Sequence, residues 1–378
     1  MPKEIDELEA WLRLLLAPGV GRAHARRLLA VSGAPQVIFE QPQQVCEAAA
    51  LQRLLPALTT EPPQWPDPLA ATRLWLQQGP DRHVFALGDP GYPPPLLDID
   101  DPPLLLFAMG RLAQQWSQGS AWQAPMLAVV GSRNPTPQGE LHARAFSMNL
   151  ARAGVCIVSG LAAGIDGAAH TGALDGGGAT VAVVGTGLDR VYPRRHLELA
   201  RRIVAQGAIV SEFPLGTPPL THHFPQRNRI LAGLAQATLV VEANLQSGSL
   251  ITARLAAEQG KEVMAIPGSI DAPQSRGCHR LIVEGAGLVT SAQDVLDALG
   301  HFSAAPTHLA PAAVPETPGD PADEALLEAL GFEPVAFDAL QLRCGWPTDR
   351  LQARLFELEL EGRLAHMPGG CWQRIARA

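Results

Sequence analysis

Five arginines carry most of the chemistry this sequence could perform: Arg133, Arg194, Arg195, Arg227 and Arg229. Arg133 ends the segment Gly131-Ser132-Arg133, and Arg194 and Arg195 follow Tyr192-Pro193. Arg227, Asn228 and Arg229 close the run FPQRNR, which opens on Phe224. Planar guanidinium groups suit phosphate oxygens, and Phe224 could either stack on a base or plug the core. Two small-residue loops add backbone donors. Ser159-Gly160-Leu161 continues through Gly164 into GIDGAAH, and Ser247-Gly248-Ser249 opens another helix. Both are places where amides at a helix start could surround an anion, most simply a phosphate.

Catalytic and metal chemistry find less support. Ser132, Ser159, Ser211, Ser247 and Ser249 are possible nucleophiles, with Glu212, Glu242 or His170 as bases. No spacing singles out a pair, and no G-x-S-x-G elbow occurs. The chain has no GxxxxGK[ST] and no GxGxxG, so P-loop hydrolysis and dinucleotide binding are poorly supported. Asp166 reads as a ribose ligand or base, or as an acid well placed in the dipole of its helix. His222-His223 lacks a third ligand at metal spacing and reads as a pair of exposed loop residues. The five cysteines are scattered, four of them in apolar or helical surroundings, and no CxxC occurs. No cofactor is expected.

These residues need a scaffold, and the hydrophobic pattern supplies one between about 81 and 300. Short apolar runs at Met126–Val130, Val155–Val158, Thr180–Val184, Ala208–Val210, Leu239–Val241 and Val263–Ile266 alternate with helical stretches such as 139–153, 197–206 and 249–259. That alternation predicts an extended Rossmann-like α/β domain with a doubly wound parallel sheet. Each run ends in Gly, Ser, Arg, Glu or Pro, and such sheets bind ligands outside the carboxyl ends of their strands.

Residues 1–80 form a separate helical unit. Ile5, Leu8, Trp11, Leu12 and Leu15 recur at helical spacing before Pro18-Gly19-Val20-Gly21-Arg22 and the helical run AHARRLLA. This is a helix-hairpin-helix-like pattern, able either to approach a phosphate through its glycine amides or only to pack. Residues 301–319 are an Ala/Pro-rich linker. Residues 320–378 predict three helices and a β-hairpin around a Pro-Gly-Gly turn, a winged-helix-like domain, with Thr348 as a helix N-cap. From Gly319 onward six Arg face ten Asp and Glu, which argues against strong duplex binding. The whole chain has 378 residues and a net charge of −8, so bulk charge does not drive DNA coating although a local basic cleft is allowed. Nearly all its cations are Arg, with Lys only at Lys3 and Lys261. No signal-peptide core or membrane-length apolar run occurs, so a cytoplasmic protein without membrane insertion is expected.

The segments GSRNPTPQG, SGLAAGIDGAAHTGAL, VAVVGTGLDRVYP, IVSEFPLG, FPQRNRILAGLA, VVEANLQSGSLITA and VMAIPG stand in order across about 140 residues. Together they resemble the DNA-processing protein A family (DprA, also called Smf). The resemblance implies an N-terminal sterile-alpha-motif-like helical domain, an extended Rossmann domain and a C-terminal winged helix. It implies a non-enzymatic mediator that binds single-stranded DNA during natural transformation, dimerises through the Rossmann domain and helps load RecA recombinase. Carried over by position, Arg133, Arg194, Arg227 and Arg229 contact phosphates, with Ser132, Leu161, Phe224 and Asn228 in the same DNA-binding set. Gly131, Ser159, Gly160 and Gly164 form a backbone cradle. His196 stands where the family has Asn. On this reading, replacing Arg133 or Arg227 with Ala weakens strand binding without unfolding the protein. The alternatives are a Rossmann-like nucleotide or phosphoribosyl hydrolase using Glu242 or Asp166, and a scaffold that binds partners through its helical ends.

Overall fold

A computed structural model describes residues 6–119, 124–300, 321–332, 334–367 and 369–375. The 301–319 linker lies outside these residues. Six helices come first: α1 (Glu7–Leu16), α2 (Arg22–Ser32), α3 (Pro35–Glu40), α4 (Pro42–Ala48), α5 (Leu55–Thr59) and α6 (Asp67–Gln77). Asp6 caps α1 by accepting from the Glu9 amide, and Gly33 ends α2 with a left-handed backbone, φ +74°. Proline stands in the first turn of α3, α4, α5 and α6, where its missing N–H is harmless.

The central sheet contains β1 (Arg82–Ala86), β2 (Leu105–Met109), β3 (Met126–Val130), β4 (Cys156–Ser159), β5 (Thr180–Val183), β6 (Ala208–Ser211), β7 (Ala237–Val240), β8 (Glu262–Ala265) and β9 (Gly287–Leu288). Their spatial order is β1-β2-β6-β5-β4-β3-β7-β8-β9. Every pairing from β6 to β9 is parallel, whereas β1 pairs with β2, and β2 with β6, in antiparallel fashion. The connecting helices are α7 (Arg111–Ser117), α8 (Pro137–Arg152), α9 (Ile165–Asp175), α10 (Leu197–Gln206), α11 (His223–Leu234), α12 (Ser249–Glu258), α13 (Arg276–Val283) and α14 (Ala292–Leu299).

Both faces of this sheet are covered, which is why its strands read as continuous apolar runs rather than alternating ones. In β3, Leu127 and Val129 join a cluster with Phe146 and Leu150 of α8 and Ala169 of α9. Ala128 and Val130 face the opposite cluster, with Ile230, Leu231 and Leu234 of α11. The two antiparallel strands are the main departure from the expected all-parallel sheet. They sit at one edge, and Phe107 of β2 meets Trp75 of α6 edge-on at 6.4 Å. The N-terminal helices thereby share one hydrophobic cluster with this end of the sheet.

A charge cluster seals the same junction. Asp101 accepts from Arg22 Nε at 2.7 Å, from Arg26 Nη1 at 2.5 Å and lies 3.1 Å from Arg229 Nε. Burial opposes the charge of Asp101, but the hydrogen bond from Arg26 and the charges of Arg229 and Arg22 outweigh it and hold its carboxyl below the ordinary range. A carboxylate with a depressed folded-state pKa stabilises the protein above its unfolded pKa, near 4, and that contribution disappears as pH falls through the folded value. Thermal unfolding of wild type and Asp101→Asn should therefore differ most near neutrality and converge below about pH 4. A difference independent of pH would remove Asp101 from this role.

The C-terminal unit has α15 (Pro321–Leu330), α16 (Phe337–Cys344) and α17 (Thr348–Leu360), with β10 (Val335–Ala336), β11 (Leu364–Met367) and β12 (Cys371–Arg374) in the order β10-β12-β11. It has its own core, built on Leu326, Leu330, Leu340, Leu351, Leu355 and Leu358. Thr348 is the first residue of α17 rather than its cap, and its hydroxyl accepts from Gln341 at 2.8 Å. No helix among the described residues is long and apolar enough to cross a membrane.

Candidate nucleic-acid interface

Because β3 to β8 run parallel, the loops that follow them open at one sheet edge. The chain goes from β3 outward through β4, β5 and β6, then returns to the other side of β3 with β7. The switch point between β3 and β7 is where open α/β sheets form their ligand crevice. Gly131, Ser132 and Arg133 leave β3 on one side of it, and Glu242 follows β7 on the other.

Two carboxylates of the chain itself hold backbone amides beside this crevice, at the start of α8 and in the loop before α9. Glu242 accepts from the Thr136 amide at 3.0 Å and from the Thr136 hydroxyl at 2.5 Å, at the N-terminus of α8. Thr136 in turn caps α8 by accepting from the Gly139 amide at 3.0 Å. Asp166, in the first turn of α9, accepts from the amides of Gly160 at 3.1 Å and Ala162 at 3.2 Å. The amides of Thr136, Gly160 and Ala162 are thus satisfied from within. Burial lifts the Asp166 carboxyl above the ordinary range, opposed by the Arg227 guanidinium and by the two amides.

Arg227 closes the floor. Its Nη2 lies 3.9 Å from Asp166 Oδ2, its Nη1 donates to the Val183 carbonyl at 3.0 Å, and only 4% of the residue is exposed. Burial holds its pKa below the ordinary value, with Asp166 opposing. A Cβ at residue 160 would stand 1.8 Å from the Arg227 Nη1, so any larger residue there would have to displace the buried guanidinium. Gly164 has φ +77° and sits against the Ser132 carbonyl, where a Cβ would come within 2.4 Å. These contacts lock the loops after β3 and β4 together.

The remaining sequence-derived residues separate into two groups. Ser159 is fully buried and donates to the Val129 carbonyl at 2.7 Å, bridging adjacent strands. Leu161 is also buried, in a left-handed conformation with φ +57°, and its carbonyl accepts from His196 Nδ1 at 3.0 Å. His196 therefore supplies a polar contact of its own at the position where Asn was expected. Asn228 is nearly buried beside the Gly248 carbonyl. Arg229 is 8% exposed and grips Glu212 through both nitrogens at 2.5 and 2.6 Å, while its Nε donates to the Asp101 carbonyl at 2.8 Å. Arg22, next to the N-terminal Gly-Val-Gly turn, also reaches Glu212 at 3.4 Å. The hairpin's arginine faces the sheet domain.

The second group lies open. Arg133, Arg194 and Arg195 are exposed, and Gly131 and Ser132 are half-buried. The Arg133 guanidinium sits over the Phe224 ring at 5.2 Å, and Phe224 is itself half-buried beside Tyr192. Tyr192 escaped the sequence reading, although its place directly before Pro193 and Arg194 was visible. Glu212 and Asp101 were also missed as partners of Arg229; their acidic type gave no hint of a buried pairing. His222 is exposed as expected, but His223 is 8% exposed, stacks on Phe213 at 4.0 Å and contacts the Gly185 carbonyl at 3.1 Å. Three cysteines are buried, Cys46, Cys156 and Cys278, and the other two are partly open.

In the C-terminal unit, Arg354 and Arg363 pair with Asp323, and α17 turns Asp349, Phe356, Glu357 and Leu360 outward. The same helix also exposes Arg350, whose guanidinium lies 4.2 Å from the Trp346 ring centroid, and Gln352, so its outer face is mixed in charge.

The comparisons agree with this architecture. The model for DNA recombination-mediator protein A matches residues 83–300, and that for the DprA winged helix domain matches residues 310–370. Protein Smf of Escherichia coli is 46% identical over 313 residues, covering 80% of both chains. DNA processing protein DprA of Streptococcus pneumoniae is 49% identical over 212 residues, 56% of this chain and 72% of that protein. The X-ray structure of the pneumococcal protein superposes with a TM-score of 0.65 at 37% identity, over 80% of this chain and 100% of that one. A structure of the Helicobacter pylori protein, described for its single-stranded DNA binding mode, gives a TM-score of 0.50 at 28% identity, over 58% of this chain and 97% of that one. The chain belongs to the DNA recombination-mediator protein A family.

Proposed function

We propose that this protein binds single-stranded DNA along the sheet edge after β3, β4 and β5 and acts as a recombination mediator during natural transformation, without catalysing a reaction on the strand. The observation that carries this reading is the division of the site. Its buried carboxylates are held by amides and arginines of the chain itself, with Arg227 Nε alone among the site's buried guanidinium nitrogens lacking a partner, while Arg133 stands exposed over Phe224 and exposed Arg194 and Arg195 follow Tyr192 in the chain. Exposed cations beside rings are what a single strand needs, with phosphates on the arginines and bases on the rings. The binding mode described for the Helicobacter pylori relative supports the same assignment. Within this proposal Arg133 and Arg194 contact phosphates, and Gly131, Ser132 and Phe224 border the strand. Ser159, Gly160, Leu161, Gly164, Arg227, Asn228 and Arg229 hold the pocket's shape.

The hydrolase alternative used Glu242 or Asp166, and both carboxylates are engaged by backbone amides. We further assign RecA recombinase as the protein partner and a homodimer through the Rossmann domain as the working form. Support for the dimer comes from Leu288 on the edge strand β9, 54% exposed, and from the exposed Val283 at the end of α13 and Ile270 in the loop after β8, 87% and 81%. Apolar side chains at an unpaired sheet edge favour association.

Fluorescence anisotropy of labelled oligo(dT) and of a blunt duplex tests the reading. The single strand is expected to bind preferentially, with affinity falling by a log–log slope of about 0.7 per neutralised phosphate as salt rises. Equal or absent binding of the two DNAs at low salt would reject it.

A further inference from the structure

The segment between β5 and α10 contains the ring that the site's charges leave unexplained. Tyr192 is 49% exposed, and its ring centroid lies 5.7 Å from that of Phe224 with 37° between the planes. That spacing puts the rings side by side and leaves no room for a base between them. Phe224 is covered by Arg133 at 5.2 Å, so the freer aromatic surface belongs to Tyr192. The adjoining residues, Arg194 and Arg195, are exposed cations.

The loop that carries Tyr192 is held at both ends. Before it, Asp189 Oδ1 accepts from the Gly216 amide at 2.8 Å, and Gly187 donates to the Thr217 carbonyl at 3.1 Å. After it, His196 Nδ1 contacts the Leu161 carbonyl at 3.0 Å. A ring fixed in this way loses little freedom when a flat ligand lands on it. Solitary exposed aromatics need no explanation, but one that is anchored, backed by a second ring and flanked by arginines forms a stacking platform.

We propose that Tyr192 is a base-stacking residue that helps this site select single-stranded over duplex DNA. This rests on the single-strand reading given above. In a duplex each base is covered on both faces by its neighbours and paired along its edge, so none can turn onto the tyrosine. An unpaired strand can place one base on Tyr192 while its neighbouring phosphates meet Arg194 and Arg133. The contact uses the ring face, so phenylalanine should serve as well and no base identity is demanded.

The test uses the full chain with wild type, Tyr192→Ala, Tyr192→Phe and Arg133→Ala. Oligo(dT) affinity is measured across a salt series, together with quenching of a single 2-aminopurine in the strand. Tyr192→Ala should weaken binding by about tenfold or more and abolish the quenching. Its salt slope should match wild type, because no phosphate contact is lost, and Tyr192→Phe should restore both readouts. Thermal unfolding of each variant keeps a folding defect from passing as a binding defect. Wild-type affinity in Tyr192→Ala, a salt slope reduced as in Arg133→Ala, or failure of Tyr192→Phe to rescue would each overturn the assignment. If the wild type itself does not bind oligo(dT), the broader single-strand reading is what fails.

Discussion

Replacing Arg229 with Ala is expected to destabilise the protein by about 3–5 kcal/mol, the range for removing one partner of a buried ion pair. The Arg229 side chain is 10% exposed and that of Glu212 is 6% exposed, so solvent can do little to screen what is left behind. Two short hydrogen bonds, 2.5 and 2.6 Å, tie them in a fork that lysine could not reproduce. Glu212 and Asp101 raise the Arg229 pKa above its ordinary value against the effect of burial, so the site is built around a charged guanidinium. The loss reaches beyond the pair because Asp101 and Arg22 share it, and these join the N-terminal helices to the sheet. A fall of roughly 4–8 °C in the unfolding midpoint is the corresponding scale for a chain of 378 residues. Removing both charges together, as in Arg229→Met with Glu212→Leu, should cost less than Arg229→Ala alone, since no buried carboxylate is orphaned. An Arg229→Ala variant as stable as wild type would show that the pair is not structural.

Arg133→Ala should do the reverse, leaving stability within about 1 kcal/mol while impairing DNA binding. The side chain is exposed, and its one ring contact, with Phe224, is the kind that contributes about 0.5–1 kcal/mol at a surface. Single-strand affinity at moderate salt should fall by about tenfold, and the log–log salt slope should shrink by about 0.7, the signature of one lost phosphate contact. Anisotropy titrations at several salt concentrations measure both. Unchanged slope and affinity would remove Arg133 from the phosphate track. The sequence reading expected the same behaviour of Arg227. Its burial against Asp166 and Val183 changes that expectation, because Arg227→Ala removes the cation from a closed floor and leaves the carboxylate without it. Loss of stability then accompanies any loss of binding.

Much of this was legible in the chain. The six parallel strands β3 to β8 coincide with apolar runs because a sheet covered on both faces needs side chains that are apolar in both directions. The edge strands β1 and β2 were not legible. Their partners are set by an antiparallel return along β6, which no local pattern encodes. The winged-helix elements followed from helical spacing and from the Pro-Gly-Gly turn.

The site divides along the same line. By itself the sequence determined which residues gather at the carboxyl edge, since every βα loop of a parallel sheet emerges there, and it named Arg133, Arg194, Phe224, Arg227 and Arg229 among them. Only the tertiary structure decided which of those arginines are free. Arg133 and Arg229 are the same residue type in neighbouring loops and helices, yet one is exposed and the other grips Glu212. Likewise the SGLAAG loop has the glycines of an anion cradle, but Asp166, six residues beyond Gly160, folds back to fill it. Exposure and pairing depend on contacts between residues far apart in the chain, 128 positions in the case of Asp101 and Arg229, and packing alone brings such partners together.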